Sequence, residues 1–300
     1  MKNKNIYLVL ITAFISGLAI FFNKFAVTFW SNSSVFTTAK NLVVVMLLTS
    51  LVLLGKRFWE LKNLLKKDWL RLIAIGFIGG SIPFLLFFKG LTIASATNAA
   101  FIHKTLFIWV ALLAIPFLKE KLSKLQIFAF GLLVFGTYLF AGPLKIKFGY
   151  GEFLVFLATI FWAIENIIAK IALKNIAPLL VAWGRMFFGS IFLIIYLGFS
   201  GGLGQIFVPL SGIGWLILSG VILFGYVVTW YTALKSLPAT VATAILVIAA
   251  PITAFLDSIF VTHYLKPSML ISGLIIILGT ILIIRIYERT HSVLQIRLSS

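Results

Sequence analysis

The stretch GKRFWELKNLLKKDWLR, residues 55–71, holds seven charged residues between Lys56 and Asp68. The stretch GFSGGLGQIFVPLSGIGWL, residues 198–216, holds none. Each follows an apolar run of similar length, and each contains near its end a Trp that opens another apolar run. A contrast of this kind is typical of one duplicated loop that lies on opposite sides of a membrane, because Lys and Arg are selected on one side only.

The composition is that of an integral membrane protein. Hydrophobic residues make up 62% of the 300 residues and charged residues 11%, with a mean hydropathy of +1.15. A soluble domain is about half apolar and about a quarter charged. The net charge of +18 would suggest nucleic acid in a soluble protein. Here the basic residues cluster in short loops, so no nucleic-acid partner is predicted. The chain has no Cys, which excludes disulfides and thiolate chemistry.

Ten apolar runs have the length of a transmembrane helix, about 17–25 residues. They lie at 6–26, 34–54, 70–90, 95–117, 124–141, 151–172, 179–198, 213–233, 240–261 and 268–286. Strands of a membrane barrel would alternate in polarity, and these runs do not. The first run has no small-residue cleavage site after it and leads into many more runs. It is therefore interpreted as a retained span rather than a signal peptide.

The loop charges predict the orientation. If the N-terminus is inside, the inner loops and tail carry most of the Lys and Arg, and the outer loops carry few. The inner set is Lys56, Arg57, Lys62, Lys66, Lys67, Lys119, Lys121, Lys124, Lys174, Lys235, Arg285, Arg289 and Arg297, against Lys145, Lys147 and Lys266 outside, with Lys89 as a further candidate for the outer set. By the positive-inside rule we predict a multi-pass protein of the cell (cytoplasmic) membrane with both termini in the cytoplasm.

The two halves of the chain match each other. Lys24 aligns with Lys170, Lys40 with Arg185, and FFKGLTIASATNAAFI (87–102) lies over WYTALKSLPATVATAI (230–245) without a gap. Chance similarity between two apolar halves is the alternative, but the loop charges differ in the direction that a duplication predicts. Each half holds five spans, an odd number, so the second half must be inverted. We predict repeats at 1–146 and 147–286 and a cytoplasmic tail at 287–300.

Signatures of enzymes and metal sites are missing from the sequence. There is no HExxH, no P-loop and no GxSxG in a strand-turn-helix context. His103, His263 and His291 lie on different segments, which is unlike a metal site. Neither enzymatic activity nor a cofactor is predicted.

Ionisable residues inside the spans are the candidates for function, because they are costly in lipid. His103 and Lys104 lie near the middle of the fourth span, where they face the interior of the bundle or a water-filled cavity. The alternative is a buried Lys that pairs with an acid or a carbonyl for packing. Glu165 in the sixth span is the best partner for Lys104 or Arg185.

Two further sets of polar residues leave alternatives open. Trp162, Asn166 and Lys170 recur every four residues and form a stripe that either lines a cavity or makes an interhelical contact. Lys40 and Arg185 occupy equivalent places in the two halves and either face the interior or snorkel to the headgroups.

Helix breaks are predicted where Gly and Pro occur inside the spans. GFIGGSIPF (76–84) breaks the third span, Pro251 interrupts the ninth and Gly225 the eighth. Asp257 lies near the outer end of the ninth span, where a position at the rim is favoured over proton coupling.

The chain resembles the EamA-type drug/metabolite transporter superfamily. The resemblance rests on LTIASATNAAFI (91–102) leading to LKEKLSKLQIFAFGLLVFGTYL (118–139), and on ALKSLPATVATAILVIAAPITAFL (233–256) leading to GLIIILGTIL (273–282). It implies a basket of ten helices, with the first four of each half around a central cavity. The fifth and tenth helices would lie outside as oligomer or lipid contacts.

The sequence departs from the pattern of that superfamily at two places. The acidic residue after the fourth helix is present as Glu120, but its counterpart in the second half is His263. The usual Pro of the fourth helix is Ile108, whereas the ninth keeps Pro251.

Together these observations predict an all-α integral membrane protein with about ten transmembrane helices in two inverted repeats around a central cavity. The predicted function is secondary transport of a small anionic or zwitterionic metabolite, such as an amino acid, by alternating access. The alternative is a non-transporting receptor or complex subunit, without a deep polar cavity that reaches Lys104. The predicted partners are a small-molecule substrate and membrane lipid, with a second copy of the chain as a further candidate. The candidate binding residues are His103, Lys104, Glu165, Lys40, Arg185, Asn98, Trp162, Asn166, Tyr226 and Trp230.

Overall fold

A computed structural model describes residues 2–30, 32–94, 96–141, 148–205, 210–265 and 267–299, and that part of the chain consists of helices joined by turns and short irregular segments, without strands. The helices are α1 (Lys2–Ala26), α2 (Ser33–Leu54), α3 (Phe58–Lys62), α4 (Lys66–Gly80), α5 (Ile82–Ile93), α6 (Ala96–Lys104), α7 (Leu106–Leu118), α8 (Lys124–Ala141), α9 (Tyr150–Ala172), α10 (Pro178–Phe199), α11 (Ile213–Ser236), α12 (Ala239–Ile245), α13 (Ala249–Asp257) and α14 (Pro267–Ser299). Short 3₁₀ segments occur at Val27–Phe29, Leu203–Gln205, Leu210–Gly212 and Leu246–Ile248, and a π-helical segment at Ser258–Thr262.

The number of spans agrees with the apolar runs of the sequence. Within the described ranges, nine helical stretches are long and apolar enough to cross a membrane, and Lys124–Leu139 is a shorter apolar helix. In hydrocarbon a helix satisfies its own backbone hydrogen bonds, which is why long apolar runs adopt this form. The prediction of an all-α membrane protein with about ten transmembrane helices is confirmed.

The packing of the helices follows an approximate two-fold symmetry between the halves. α1 packs on α11, as α9 packs on α4 and α5; α10 packs on α4, as α2 packs on α11. α7 packs on α9, as α13 packs on α1. Three pairs lie across the symmetry axis, namely α2 with α10, α7 with α12, and α8 with α14. The two halves are therefore inverted repeats, as the sequence predicted.

The two loops that opened the sequence comparison begin with the same turn. The N–H of Arg57 donates to the carbonyl of Val52 at 3.0 Å, and the N–H of Gly202 donates to that of Leu197 at 2.9 Å. Both bonds span five residues, which is the pattern of a Schellman motif at the end of a helix. After the turn, the loop at 55–68, called the first loop below, contains α3. The loop at 199–212, called the second loop, contains the 3₁₀ segment Leu203–Gln205.

Left-handed backbone conformations also occur in pairs. Lys56 has a φ of 55° and its repeat counterpart Gly201 a φ of 72°. Lys119, which ends α7, has a φ of 57°, and His263 after the ninth span has a φ of 51°. The structure thus pairs His263 with Lys119, one residue away from Glu120, its counterpart in the sequence comparison. These shared conformations show that the first and second loops are the same structural element.

The third and ninth spans are broken where Gly and Pro predicted. α4 ends at Gly80, and α5 begins at Ile82 with Pro83 in its first turn. The 3₁₀ turn Leu246–Ile248 precedes Pro251 in the ninth span. The interruption predicted at Gly225 is wrong, because α11 runs through it from Ile213 to Ser236. A lone Gly lowers helix propensity without removing a hydrogen bond, so packing keeps the helix intact.

The fourth span also breaks, although it has no Pro at the equivalent place. α6 ends at Lys104 and α7 begins at Leu106. Around Thr105 the backbone bonds close over three residues, from the N–H of Thr105 to Ile102 and from the N–H of Ile108 to Thr105. This break aligns with the 3₁₀ turn of the ninth span, so the fourth helix is divided in both repeats.

Glycines allow the helices of the two halves to approach closely. A Cβ on Gly76 would lie 2.4 Å from the Cβ of Phe188, and a Cβ on Gly80 would lie 2.3 Å from the carbonyl oxygen of Arg185. Small residues at such spacing are the usual means of close packing between membrane helices. They bring α4 against α10 and position Arg185 at the break in the third span.

α14 is longer than its apolar run. The run ends near residue 286, but the helical backbone continues to Ser299. The backbone of the predicted cytoplasmic tail is therefore helical as far as Ser299. Helical hydrogen bonds form within a segment and do not require apolar side chains.

Candidate functional site

The break in the third span exposes backbone carbonyls at the centre of the protein. Pro83 has no N–H, so the carbonyl of Gly79 lacks its donor four residues later. The indole Nε1 of Trp162 and Nη2 of Arg185 both donate to that carbonyl, each at 3.1 Å. Nδ2 of Asn41 donates to the carbonyl of Gly80 at 3.3 Å. Side chains from α2, α9 and α10 thus converge on the end of α4.

Glu165 lies beside this end of α4 and is 2% exposed. Gly79 makes room for it, since a Cβ at that position would lie 2.1 Å from Cγ of Glu165. The hydroxyl of Tyr231 donates to Oε1 of Glu165 at 2.5 Å. Hydrogen bonds of this kind, to an acceptor that can carry charge, are the strong ones.

The predicted ion pair of Glu165 is corrected by this geometry. Arg185 interacts electrostatically with Glu165, but no ion pair within 4.0 Å joins the two residues or joins Glu165 to Lys104. The helix rotation directs Glu165 toward α11, where the Tyr231 hydroxyl meets it, and Arg185 toward the Gly79 carbonyl.

Lys40 is enclosed by aromatic rings. Its Nζ lies 4.8 Å from the ring centroid of Phe88, 5.1 Å from that of Phe36 and 5.6 Å from that of Phe84. Its polar contact is a long one, 3.4 Å to Oδ1 of Asn23. With 2% of the residue exposed, Lys40 stays inside the protein and does not snorkel. Aromatic faces attract a cation but do not neutralise its charge.

His103 and Lys104 end α6 at the break of the fourth span. The His103 ring lies 4.9 Å from that of Trp162 and 5.2 Å from that of Phe87, and its Nδ1 is buried without a hydrogen-bond partner. Lys104 is 7% exposed and, among the residues whose positions are described, has no hydrogen-bond or carboxylate partner. Nδ1 of His103 and the side chain of Lys104 therefore lie here without a polar contact to any described residue.

Phe84 connects these groups into one site. Its ring lies 5.6 Å from Nζ of Lys40, 5.7 Å from Cζ of Arg185 and 5.6 Å from the ring of Trp162. We call the combined set the central cluster. Its members are Lys40, Phe84, His103, Trp162, Glu165, Arg185 and Tyr231.

The remaining predicted site residues have separate places. Asn166 is 4% exposed; it donates to the Trp162 carbonyl of its own helix at 2.8 Å, and its Oδ1 has no partner. Tyr226 and Trp230 stack at 6.3 Å, and Tyr226 interacts electrostatically with Arg185. The side chain of Asn98 lies outside the described residues.

Two charged residues outside the cluster hold helix ends. Nζ of Lys170 donates to the carbonyls of Leu234 and Leu237, each at 2.6 Å, at the end of α11. Oε1 of Glu120 accepts from the N–H of Ala239 at 2.7 Å, and Oε2 accepts from the Thr240 hydroxyl at 2.6 Å, at the start of α12. Lys170 therefore belongs to an interhelical contact, the second of the two alternatives for the stripe.

Sequence reasoning left two members of the central cluster, Phe84 and Tyr231, out of the candidate binding residues. The hydrogen bond of Tyr231 to Glu165 depends on the rotation of α11, which no local pattern reveals. The carbonyl of Gly79 has a local signal, because Pro83 follows it by four positions. That signal predicts an acceptor without a backbone donor, but it does not show which side chains donate to it.

The comparisons with known proteins agree with this fold. The profile of the EamA-like transporter family matches residues 3–142 and again residues 149–285. The uncharacterized transporter YyaM of Bacillus subtilis (strain 168) is 26% identical over 293 residues, which is 94% of this chain and 94% of that protein. A solved crystal structure superposes with a TM-score of 0.75 at 12% identity, covering 92% of this chain and 96% of that chain. The chain is a multi-pass membrane protein that belongs to the EamA-like transporter family.

Proposed function

We propose that this protein is a secondary transporter that moves a small anionic or zwitterionic metabolite across the cytoplasmic membrane by alternating access, with both termini in the cytoplasm. Membership of a transporter family supports transport. The inverted repeats support alternating access, because two related halves of opposite orientation provide two similar conformations that open to opposite sides.

The observation that carries the substrate class is the excess of buried cations at the centre. Lys40 and Lys104 are 2% and 7% exposed, and neither has a carboxylate within 4.0 Å in the described part of the chain. A buried charge without a partner costs several kcal/mol. A carboxylate or phosphate of a substrate would offset that cost, so the site favours anions.

Neighbouring groups suit the rest of an amino acid. Glu165 provides the acid that an ammonium group requires, since its Oε2 makes no hydrogen bond among the described contacts. The rings of Phe87, Trp162 and His103 lie within 5.5 Å of one another and offer flat walls for an apolar side chain.

Contacts between the halves are suited to opening and closing at either membrane face. Glu120 joins the end of α7 to the start of α12, on the predicted cytoplasmic side. Lys24 pairs with Asp257 at 2.8 Å, with 47% and 32% of the side chains exposed, on the predicted outer side. Exposed pairs of this kind contribute little free energy, so they break readily during a conformational change.

The experiment is a screen of carboxylates, zwitterions, phosphates and lipophilic cations by thermal stabilisation, followed by counterflow of the hits in proteoliposomes. We expect anions or zwitterions to stabilise the protein and to show saturable flux. Lys104→Ala should weaken that binding about tenfold or more, while Lys121→Ala, an exposed lysine of a loop, should leave it unchanged. Binding of lipophilic cations alone, unaffected by Lys104→Ala, would contradict the substrate class. Binding without flux would favour the receptor alternative.

A further inference from the structure

A cavity lies at one membrane face, away from the central cluster. It has a volume of about 320 Å³ and is lined by residues of α2, α3, α4 and α10, among them Val52, Phe58, Trp69 and Trp183. The indole Nε1 of Trp183 donates to Oγ1 of Thr49 at 3.1 Å, so the polar atoms of these two lining residues are satisfied. Apart from Lys62, the remaining lining residues are aliphatic or aromatic and match the chemistry of an acyl chain.

The mouth of the cavity is formed by the first loop. α3 exposes Phe58 by 45% and Trp59 by 64%, and Nζ of Lys62 lies 4.4 Å from the Trp59 ring centroid. An aromatic and basic segment of this kind is typical of the interface between lipid headgroups and water. Lys62 is the charged residue of the cavity lining.

The loop charges favour an anion at this mouth. Arg57 pairs with Glu60 at 3.5 Å, and Arg71 with Asp68 at 2.9 Å. In the part of the loop that the structure describes, Lys62, Lys66 and Lys67 are exposed and have no carboxylate partner. Basic residues at the cytoplasmic end of a membrane helix attract anionic lipid headgroups.

We propose that this cavity binds an anionic phospholipid, with an acyl chain against the packed rings of Trp69 and Trp183 and the phosphate at Lys62 and its neighbouring lysines. The inference does not depend on transport, since it concerns a different set of residues from the central cluster. The second loop has no charged residue at residues 198–216, so the site belongs to one repeat only.

Brominated acyl chains quench nearby tryptophans, which gives a test of position. The protein in nanodiscs would be titrated with brominated phosphatidylglycerol or with brominated phosphatidylcholine of the same chains. Quenching at the proposed site is the part of the total tryptophan quenching that disappears in a Trp69→Phe/Trp183→Phe variant. We expect phosphatidylglycerol to produce this signal at lower mole fraction than phosphatidylcholine. Lys62→Gln should reduce that preference about fivefold, and Lys121→Gln should not change it.

One further variant and one competition experiment test the proposal even if the tryptophan variant does not fold. Leu53→Phe fills the mouth from an exposed position (57% exposed) and should abolish the quenching of the site. Glycerol 3-phosphate should not compete; competition would mean that a free phosphate is the ligand. Equal quenching by the two lipids would contradict the preference for an anionic headgroup. Quenching that Leu53→Phe leaves intact would contradict binding of the acyl chain in the cavity.

Discussion

Arg185 in α10 and Lys40 in α2 occupy equivalent positions in the two repeats, but their surroundings differ. Arg185 donates to the Gly79 carbonyl at 3.1 Å and lies near Glu165 and Tyr231. In the first repeat the aligned counterparts of Glu165 and Tyr231 are Ala19 and Phe88. Lys40 therefore has a benzene ring, 4.8 Å away, where Arg185 has a phenol and an acid.

This difference indicates that the two repeats kept the same backbone fold, whereas Arg185 and Lys40 acquired different roles. The second repeat compensates its cation within the protein. The first repeat leaves Lys40 enclosed and, in the described part of the chain, without a carboxylate within 4.0 Å. An ammonium group at this place costs stability unless a ligand supplies the anion. A buried basic residue inside a membrane span is a candidate for a functional site.

The largest expected effect is a difference in the free energy of unfolding between variants of Arg185 and of Lys40. Arg185→Met removes a charged donor from the Gly79 carbonyl and the cation near Glu165, so the free energy of unfolding should fall by about 3 kcal/mol. Lys40→Met replaces an unpaired buried charge by an apolar chain and should change it by no more than about 1 kcal/mol. Denaturant unfolding in detergent measures both, and equal losses would contradict the distinction.

The second effect concerns the phenol of the second repeat. Tyr231→Phe removes the 2.5 Å hydrogen bond to Glu165 and should cost about 1.5–3 kcal/mol. Tyr226→Phe is the matched control on the same helix, because the Tyr226 hydroxyl makes no such bond, and it should have little effect. If the two variants unfold alike, the bond does not stabilise the protein.

A third experiment builds the compensation of the second repeat into the first. Ala19 lies one turn before Asn23, which contacts Lys40, so an acid at that position shares its face of α1. Ala19→Glu combined with Phe88→Tyr should weaken anion binding about tenfold, or about 1.4 kcal/mol. Thermal stabilisation by the best anion of the screen is the readout. Unchanged binding would mean that Lys40 does not contact the substrate.

The smallest expected effect lies in the two loops. Gly201, at a φ of 72°, has open space where a Cβ would lie, so Gly201→Lys should cost only the strain of a left-handed residue, about 1–2 kcal/mol. Lys56 already has that strain at a φ of 55°, and Lys56→Gly should stabilise the fold by a smaller amount. Opposite signs are expected in thermal unfolding; a loss for both substitutions would mean that the Lys56 side chain has a structural role.

Much of the fold could be predicted because its causes are local. Apolar run length determines the spans, loop charge reveals the inversion, and Pro83 and Pro251 each remove a backbone donor. The break at Thr105 has no such residue and follows from the repeat symmetry instead. The predicted interruption at Gly225 was wrong because a Gly alone leaves the helical hydrogen bonds in place.

The site was less predictable because it depends on helix rotation. The sequence indicated that Lys40, His103, Lys104, Glu165 and Arg185 lie inside the bundle, since charges are costly in lipid. It did not reveal which residues meet. Whether Glu165 contacts Tyr231 or Lys104 depends on how α9 and α11 pack, and the glycines of α4 decide that at a distance from Glu165 in sequence.

The central claim is that the two halves, alike in fold, lie in the membrane in opposite orientation, which is the observation that supports the proposed alternating access. Single cysteines test it directly, because the chain contains none. Asn63 and Ser211 are both exposed, in the first and second loops. On intact cells an impermeant thiol reagent should label Ser211→Cys, and it should label Asn63→Cys only after the membrane is opened. Labelling of both residues from one side would contradict the inverted orientation.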